Sequence, residues 1–354
     1  MVSGNNGPAC MDEGKAVSHT IYFLRFALIV AVVFSHSRIG DPPEEYAGGY
    51  SLFVYLFTNV FERLPALVLF SGFLFFKSGF SFPVYGKKLK SRLRTLLVPY
   101  LFWNAAVLLF YLGGQLFQVL RGQVPGSTCV WEYTAHDWWM AFWGGPAAKQ
   151  FWFIRNLMVL MLFSPVFYAI VRYLRIWGVL LCALPWFLGV DIVFRMHTYS
   201  FFFFAVGAWF ALEKRDFAKD LEPYMGLSGI LFIVVAAWQV HCFVHGMQQI
   251  GWLNKIGLCA SVVFLIAWIG RLVRKGALRV NVPLCQASFF IFASHFVLVG
   301  LVRRFLLSCV PPSGWNFFWM HIVIAVSVTF FCIGVYRLLH RYLPRFLSVI
   351  TGGR

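Results

Sequence analysis

An arginine and a histidine inside one apolar run are the first residues of this sequence equipped for chemistry. Arg25 lies about a turn and a half into the run 20–38, among Phe23, Leu24, Phe26 and Leu28, and His36 lies near its far end. Eleven residues separate them, which leaves them ~20° apart around a helix and ~16 Å apart along it. Both therefore project from one face at different depths. An imidazole with an ordinary pKa of ~6.5 can deprotonate a hydroxyl or carry an acyl group itself. The plainer reading has Arg25 reaching one interface and His36 capping the other.

Five further groups invite the same question. Lys87-Lys88-Leu89-Lys90-Ser91-Arg92-Leu93-Arg94 is a cationic stretch running into Pro99-Tyr100. It reads either as an anchor on anionic lipid or, through its arginines, as a binding site for the phosphates of a cytosolic donor. Glu62-Arg63-Leu64-Pro65 leads into Ser71-Gly72-Phe73, and Trp152-Phe153-Ile154-Arg155-Asn156 opens another apolar run. Arg63 and Arg155 sit at the depth of His36, where they can orient a substrate or stabilise an oxyanion, or simply anchor the helix end. His295 lies within an apolar run and reads as a packing histidine or a further site residue. His241 and His245 share a helix face without a nearby carboxylate, so no metal site is expected.

These residues are positioned by apolar helices. The chain has 354 residues, 60% hydrophobic and only 12% charged, too little polar surface for a water-soluble fold, which carries about 25% charged residues. Apolar runs at 20–38, 59–76, 98–117, 151–171, 177–194, 198–212, 225–244, 252–270, 283–302 and 315–336 give ten candidate spans. The expected architecture is an all-α integral membrane protein of about ten transmembrane helices. Residues 1–19 form an N-terminal tail, 20–340 the membrane domain and 341–354 a C-terminal tail. With the N-terminus inside, 20 of the 30 Lys and Arg fall on the inner face, which places both termini in the cytoplasm. The same count turns the net charge of +17 into topology and removes the case for a nucleic-acid partner. The outer connection 113–150, with Trp131, Trp138, Trp139 and Trp143, is expected on the membrane surface, where Trp is favoured.

Absences narrow the function. No Asp or Glu follows Glu222, and only Glu62 and Asp191 lie near a span end elsewhere, which disfavours ion-coupled transport, a process that relies on intramembrane carboxylates. Neither a Walker loop nor H-E-x-x-H occurs. The eight cysteines lie mostly singly in apolar runs without a C-x-x-C pair, so neither a zinc site nor a disulfide framework is expected.

The ordered elements resemble acyltransferase family 3, the multi-span membrane enzymes that O-acylate surface glycans. Leu24-Arg25-Phe26-Ala27 followed by Val32-Val33-Phe34-Ser35-His36 resembles the family's signature of Arg, ten residues, His. Ser71-Gly72-Phe73, the basic loop ending at Pro99-Tyr100-Leu101-Phe102-Trp103, Phe151-Trp152, Phe201–Ala208 and Ser288-Phe289-Phe290-Ile291-Phe292-Ala293-Ser294-His295 are similar to later family elements. The sequence departs from the pattern at Arg92/Arg94, Asn156 and Phe292.

The resemblance implies an O-acetyltransferase of the bacterial inner membrane. Its donor would be acetyl-CoA or another acyl-CoA, held by Lys90, Arg92 and Arg94. Its acceptor would be a carbohydrate or glycolipid hydroxyl, such as a surface polysaccharide, lipopolysaccharide or peptidoglycan precursor, with glycan-assembly partners and no metal. His36 and Arg25 would be catalytic, Arg63, Arg155 and Trp152 would serve the oxyanion or orient the acceptor, and Ser71, Tyr100 and His295 complete the set. The rival reading is a transporter or flippase of an anionic amphiphile, or a sensor without chemistry.

Overall fold

The computed structural model describes residues 13–40, 44–61, 64–190, 192–193, 196–311 and 315–353. Arg63, expected at the outer end of the second span, lies outside the described residues, as do Glu62 and Asp191.

The chain folds as a helical bundle. In order, the helices are α1 (Glu13–His36), α2 (Glu44–Tyr55), α3 (Pro65–Phe76), α4 (Phe82–Arg92), α5 (Val98–Leu120), α6 (Ala135–Trp139), α7 (Trp152–Leu162), α8 (Ser164–Leu174), α9 (Ile176–Phe187), α10 (Tyr199–Leu212), α11 (Phe217–Asp220), α12 (Met225–Val244), α13 (Gly251–Arg274), α14 (Val282–Cys285), α15 (Ser288–Cys309), α16 (Asn316–Tyr342) and α17 (Pro344–Thr351). A two-residue hairpin, Ile192–Val193 with Met196–His197, joins α9 to α10.

Seven helical stretches have the length and hydropathy to cross a membrane. The stretch 149–174 is an eighth, bent by 61° between α7 and α8, where Pro165 cannot donate into the helix ladder. With the shorter apolar helices α9 and α10, each of the ten expected apolar runs contains a helix among the described residues. Large apolar side chains such as Leu109, Ile230, Ile233, Phe330 and Phe331 face outward, as in a protein whose surroundings are hydrocarbon.

α1 is central, packing against α13, α15 and α16. Its Leu24, Leu28, Ile29, Val32 and Val33 are buried. α3 and α10 cross with their backbones close together, and glycine permits it. A Cβ on Gly207 would stand 2.0 Å from the Leu69 carbonyl oxygen, and one on Gly72 would stand 2.3 Å from that of Phe204. Helices in lipid associate through such backbone approach because burial of apolar surface offers no driving force there. Gly72 of the Ser-Gly-Phe element therefore serves packing.

One region differs from expectation. The outer connection does not lie wholly on the surface: Tyr100 donates to the Phe142 carbonyl, Asn104 accepts from Ala148 N at 3.1 Å, and Gln150 donates to Ala293 O at 2.9 Å. These bonds stitch residues 140–151 into the bundle and give the Phe142 carbonyl and the Ala148 N–H partners within the protein. The Trp side chains stay exposed. The C-terminal tail is the docked helix α17, with Leu347, Ile350 and Thr351 buried and Ile350 O accepting from the Trp103 indole at 3.0 Å.

Gly207→Ala should cost roughly 2 kcal/mol or more, because backbone cannot yield as a side chain can. Gly334→Ala, with open space around its Cβ position, should be neutral or stabilising in its helix. Thermal unfolding of the two variants in detergent is the measurement, and equal melting temperatures would remove the crossing from the account.

Candidate active site

The outer pole of the site is the last turn of α1. His36 ends the helix, and Ser37 N folds back to Phe34 O at 3.1 Å. The half-buried His36 ring stands 5.4 Å from that of His295 and 5.6 Å, edge-on, from that of Phe296. His295 is fully buried in α15. Its Nδ1 lies 3.1 Å from Ile291 O and 2.9 Å from Phe292 O. Carbonyls only accept, so Nδ1 carries the proton and Nε2 presents a lone pair. That Nε2 has no partner among the described residues. An unpaired buried acceptor is costly, and here it sits in the ring that faces His36.

The inner pole is a cavity of about 210 Å³. Arg25 and Ile29 of α1 line it together with Ser71 of α3, Arg92 of α4 and Ser288 and Phe292 of α15. Arg25, Ile29 and His36 share one helix face, since steps of four and seven residues return to nearly the same angle. No carboxylate lines the cavity, and neither arginine has an ion-pair partner among the described residues. Two guanidinium groups at one cavity without a counter-charge make a site for an anionic ligand. The space is too small for a whole nucleotide cofactor, since drug-sized ligands fill about 300–1,000 Å³. Phe292 joins the poles: it lines the cavity and its ring lies 6.3 Å from His295.

The cationic stretch divides by helix geometry. Lys90 and Arg94 are exposed, whereas Arg92 turns inward to the cavity. Lys88 lies on the side of Arg92 and donates to the carbonyls of Phe75 and Gly79. Among the remaining expected residues, Ser71 lines the cavity while its hydroxyl donates to Leu67 O at 2.8 Å. Tyr100 is buried and bonded to the Phe142 carbonyl. Trp152 is half-buried, its ring 5.2 Å from His197. Arg155, expected at an outer helix end, is 5% exposed and donates to Trp143 O at 2.7 Å, Gly144 O at 3.1 Å and Asn156 Oδ1 at 3.4 Å. Its guanidinium is engaged in bracing the 140–151 segment.

A larger groove of about 1,130 Å³ opens beside this segment. Tyr111, Gln115, Gln118, Tyr133, Lys149 and Arg304 contribute to its walls, placing amides, phenols and cations at the outer ends of α5 and α15. The His241 and His245 rings are 4.4 Å apart, and no group of three His, Cys, Asp or Glu among the described residues is placed to hold a metal ion.

Sequence reasoning missed His321, Tyr50 and Gln150. His321 was within reach of the rule that singled out Arg25, since an ionisable residue inside an apolar span is a functional signal. Tyr50 and Gln150 carry no such signal, because only their tertiary partners distinguish them.

The sequence of residues 19–337 matches the profile of the acyltransferase family 3 domain. The chain is also similar to the succinoglycan biosynthesis protein ExoH of Rhizobium meliloti (strain 1021), at 27% identity over 358 residues that cover 96% of this chain and 93% of that protein. No solved structure matches it. With the match spanning nearly the whole helical bundle, including Arg25, His36, Arg92 and His295, the chain belongs to acyltransferase family 3, a multi-pass membrane acyltransferase.

Proposed function

We propose that this protein moves an acyl group, acetyl by preference, from acyl-CoA on the cytoplasmic side of the inner membrane to a hydroxyl of a carbohydrate on the outer side. The observation that carries the reading is the placement of an anion-binding cavity and the His36–His295 pair at two depths of one α1 face. The ~16 Å between Arg25 and His36 along α1 is comparable to an extended pantetheine arm. In this reading the nucleotide stays outside the small cavity, near exposed Lys90 and Arg94, and Arg25 and Arg92 hold phosphate at the entrance. The relative's part in succinoglycan biosynthesis supports a polysaccharide acceptor. The outer groove suits one, since amides and phenols bind sugar hydroxyls and rings.

His36 takes the proton of the acceptor hydroxyl as its oxygen attacks the thioester carbonyl. The C–S bond breaks, and the departing thiolate receives that proton. The free lone pair of His295 supports this role over an acyl-histidine intermediate: a small approach of the two rings would let it accept the N–H of His36 and turn the other His36 nitrogen into an oriented base. A histidine without that orienting neighbour would be a weaker base in a less defined pose.

His36→Ala should lower transfer by about 10²–10⁴-fold, read as acetyl added to surface glycan by mass spectrometry; near-normal acetylation would remove His36 from the chemistry. An unchanged glycan mass in wild type and variant alike would instead favour transport. Arg25→Gln and Arg92→Gln should each weaken acetyl-CoA binding by roughly 10-fold or more, the scale of a lost charge-assisted hydrogen bond. Lys90→Gln and Arg94→Gln should matter mainly at low salt, as exposed charges are screened. Calorimetric titration at two ionic strengths separates the pairs, and unchanged acetyl-CoA affinity in Lys90→Gln, Arg92→Gln and Arg94→Gln would return the stretch to a lipid anchor.

A further inference from the structure

His36 is the last residue of α1, and a final helical turn has carbonyls without helical partners. Two other helices grip the chain on both sides of it. Two residues before His36, Phe34 O lies 2.8 Å from His321 Nε2 of α16. Three residues after it, Ile39 N donates to the Tyr50 hydroxyl of α2 at 3.0 Å. The Tyr50 hydroxyl and His321 Nδ1 are themselves 3.1 Å apart.

The chemistry of these groups orders the protons. Phe34 O can only accept, so Nε2 carries the His321 proton and Nδ1 of the neutral ring is an acceptor. The Tyr50 oxygen receives from Ile39 N and donates its own proton to Nδ1. Every group is satisfied, and the bonds close a staple from residue 39 back to residue 34 around His36. Tyr50 is 1% exposed and His321 is 0% exposed, so water does not compete. The rings of Phe53, Phe317 and Phe318 pack around Tyr50, and Phe34 stacks on Phe57 at 4.9 Å. Arg303 of α15 adds a donor to Arg38 O at 3.1 Å, tying the same turn to the helix that carries His295.

We infer that Tyr50 and His321 are positioning residues for the acyl transfer: their staple holds the end of α1 so that His36 faces His295. Neither lines the Arg25 cavity, so their loss should act on turnover and leave donor binding alone. This rests on the proposed catalytic role of His36, and the test separates the two.

Acetyl transfer from [14C]acetyl-CoA to glycan in membranes of the producing cell, and acetyl-CoA affinity by calorimetry, are compared for the wild type, His36→Ala, Tyr50→Phe, His321→Leu and His321→Gln. Tyr50→Phe and His321→Leu should lower kcat by about 10–100-fold, the effect of a displacement near 1 Å, with acetyl-CoA Kd within about twofold of wild type. His321→Gln, whose amide offers both a donor and an acceptor, should recover most of the rate. Wild-type kcat in Tyr50→Phe and His321→Leu beside an inactive His36→Ala overturns the staple alone. Parallel loss of turnover and donor binding in Tyr50→Phe, which removes one oxygen atom, overturns it too, since that pattern marks a purely structural role. An active His36→Ala would instead refute the assignment of His36 on which the inference stands.

Discussion

Inside hydrocarbon a polar group must find its partner within the protein, because no water is available to supply one. The architecture of this acyltransferase follows from that constraint. Residues 140–151 enter the bundle as a π-helical turn (Met140–Gly144), a short irregular link and a 3-10 turn (Lys149–Phe151), and they are tolerated because Tyr100, Asn104, Gln150 and Arg155 take up their polar groups or tie them to α15. Where the constraint is met, the groups are structural. Among the groups where it is left open are Arg25 and Arg92, facing a cavity without a carboxylate, and the free Nε2 of His295, the groups to which the proposed function gives a ligand.

Two kinds of arginine illustrate the distinction. Arg155 and Arg25 both lie within apolar helices, and by type they are equivalent. Arg155 points at two carbonyls that its own fold provides, so its charge is occupied. Arg25 shares a cavity with a second guanidinium, an arrangement that gains stability only when an anion arrives. The rings of His36 and His295 form the neutral counterpart at the outer pole, and Phe292 connects the poles through apolar surface. In the proposed function, a thioester arm crossing such a path would meet polar groups only at its ends.

Close helix packing makes the path narrow. The glycines of α3 and α10 let their backbones touch, which sets Ser71 on the cavity wall while Gly72 faces the neighbour. The π-helical turn Leu93–Leu97 ahead of Pro99 joins the amphipathic α4 to the membrane-crossing α5. It relieves the clash that the proline ring would make with the carbonyl four residues back.

Much of this was legible in the residues alone. Helical periodicity placed Arg25 and His36 on one face, hydropathy located the ten apolar helices, and the family signature follows the same spacing, because each depends only on local geometry along one helix. Which members of the cationic stretch turn inward was not legible, since Arg92 differs from Lys90 and Arg94 only in the direction its helix presents to α1. The docking of the outer segment and of α17 was equally hidden, because hydrogen bonds between residues as distant as Trp103 and Ile350 leave no trace in composition. The staple around His36 is the clearest case: Phe34, Ile39, Tyr50 and His321 are scattered along nearly 290 positions and meet only when α1, α2 and α16 pack. Sequence by itself therefore determined the kind of molecule and the helix face that Arg25 and His36 share. Tertiary structure decided which polar groups are spent on one another and which remain free to act, because that depends on partners brought together across the fold.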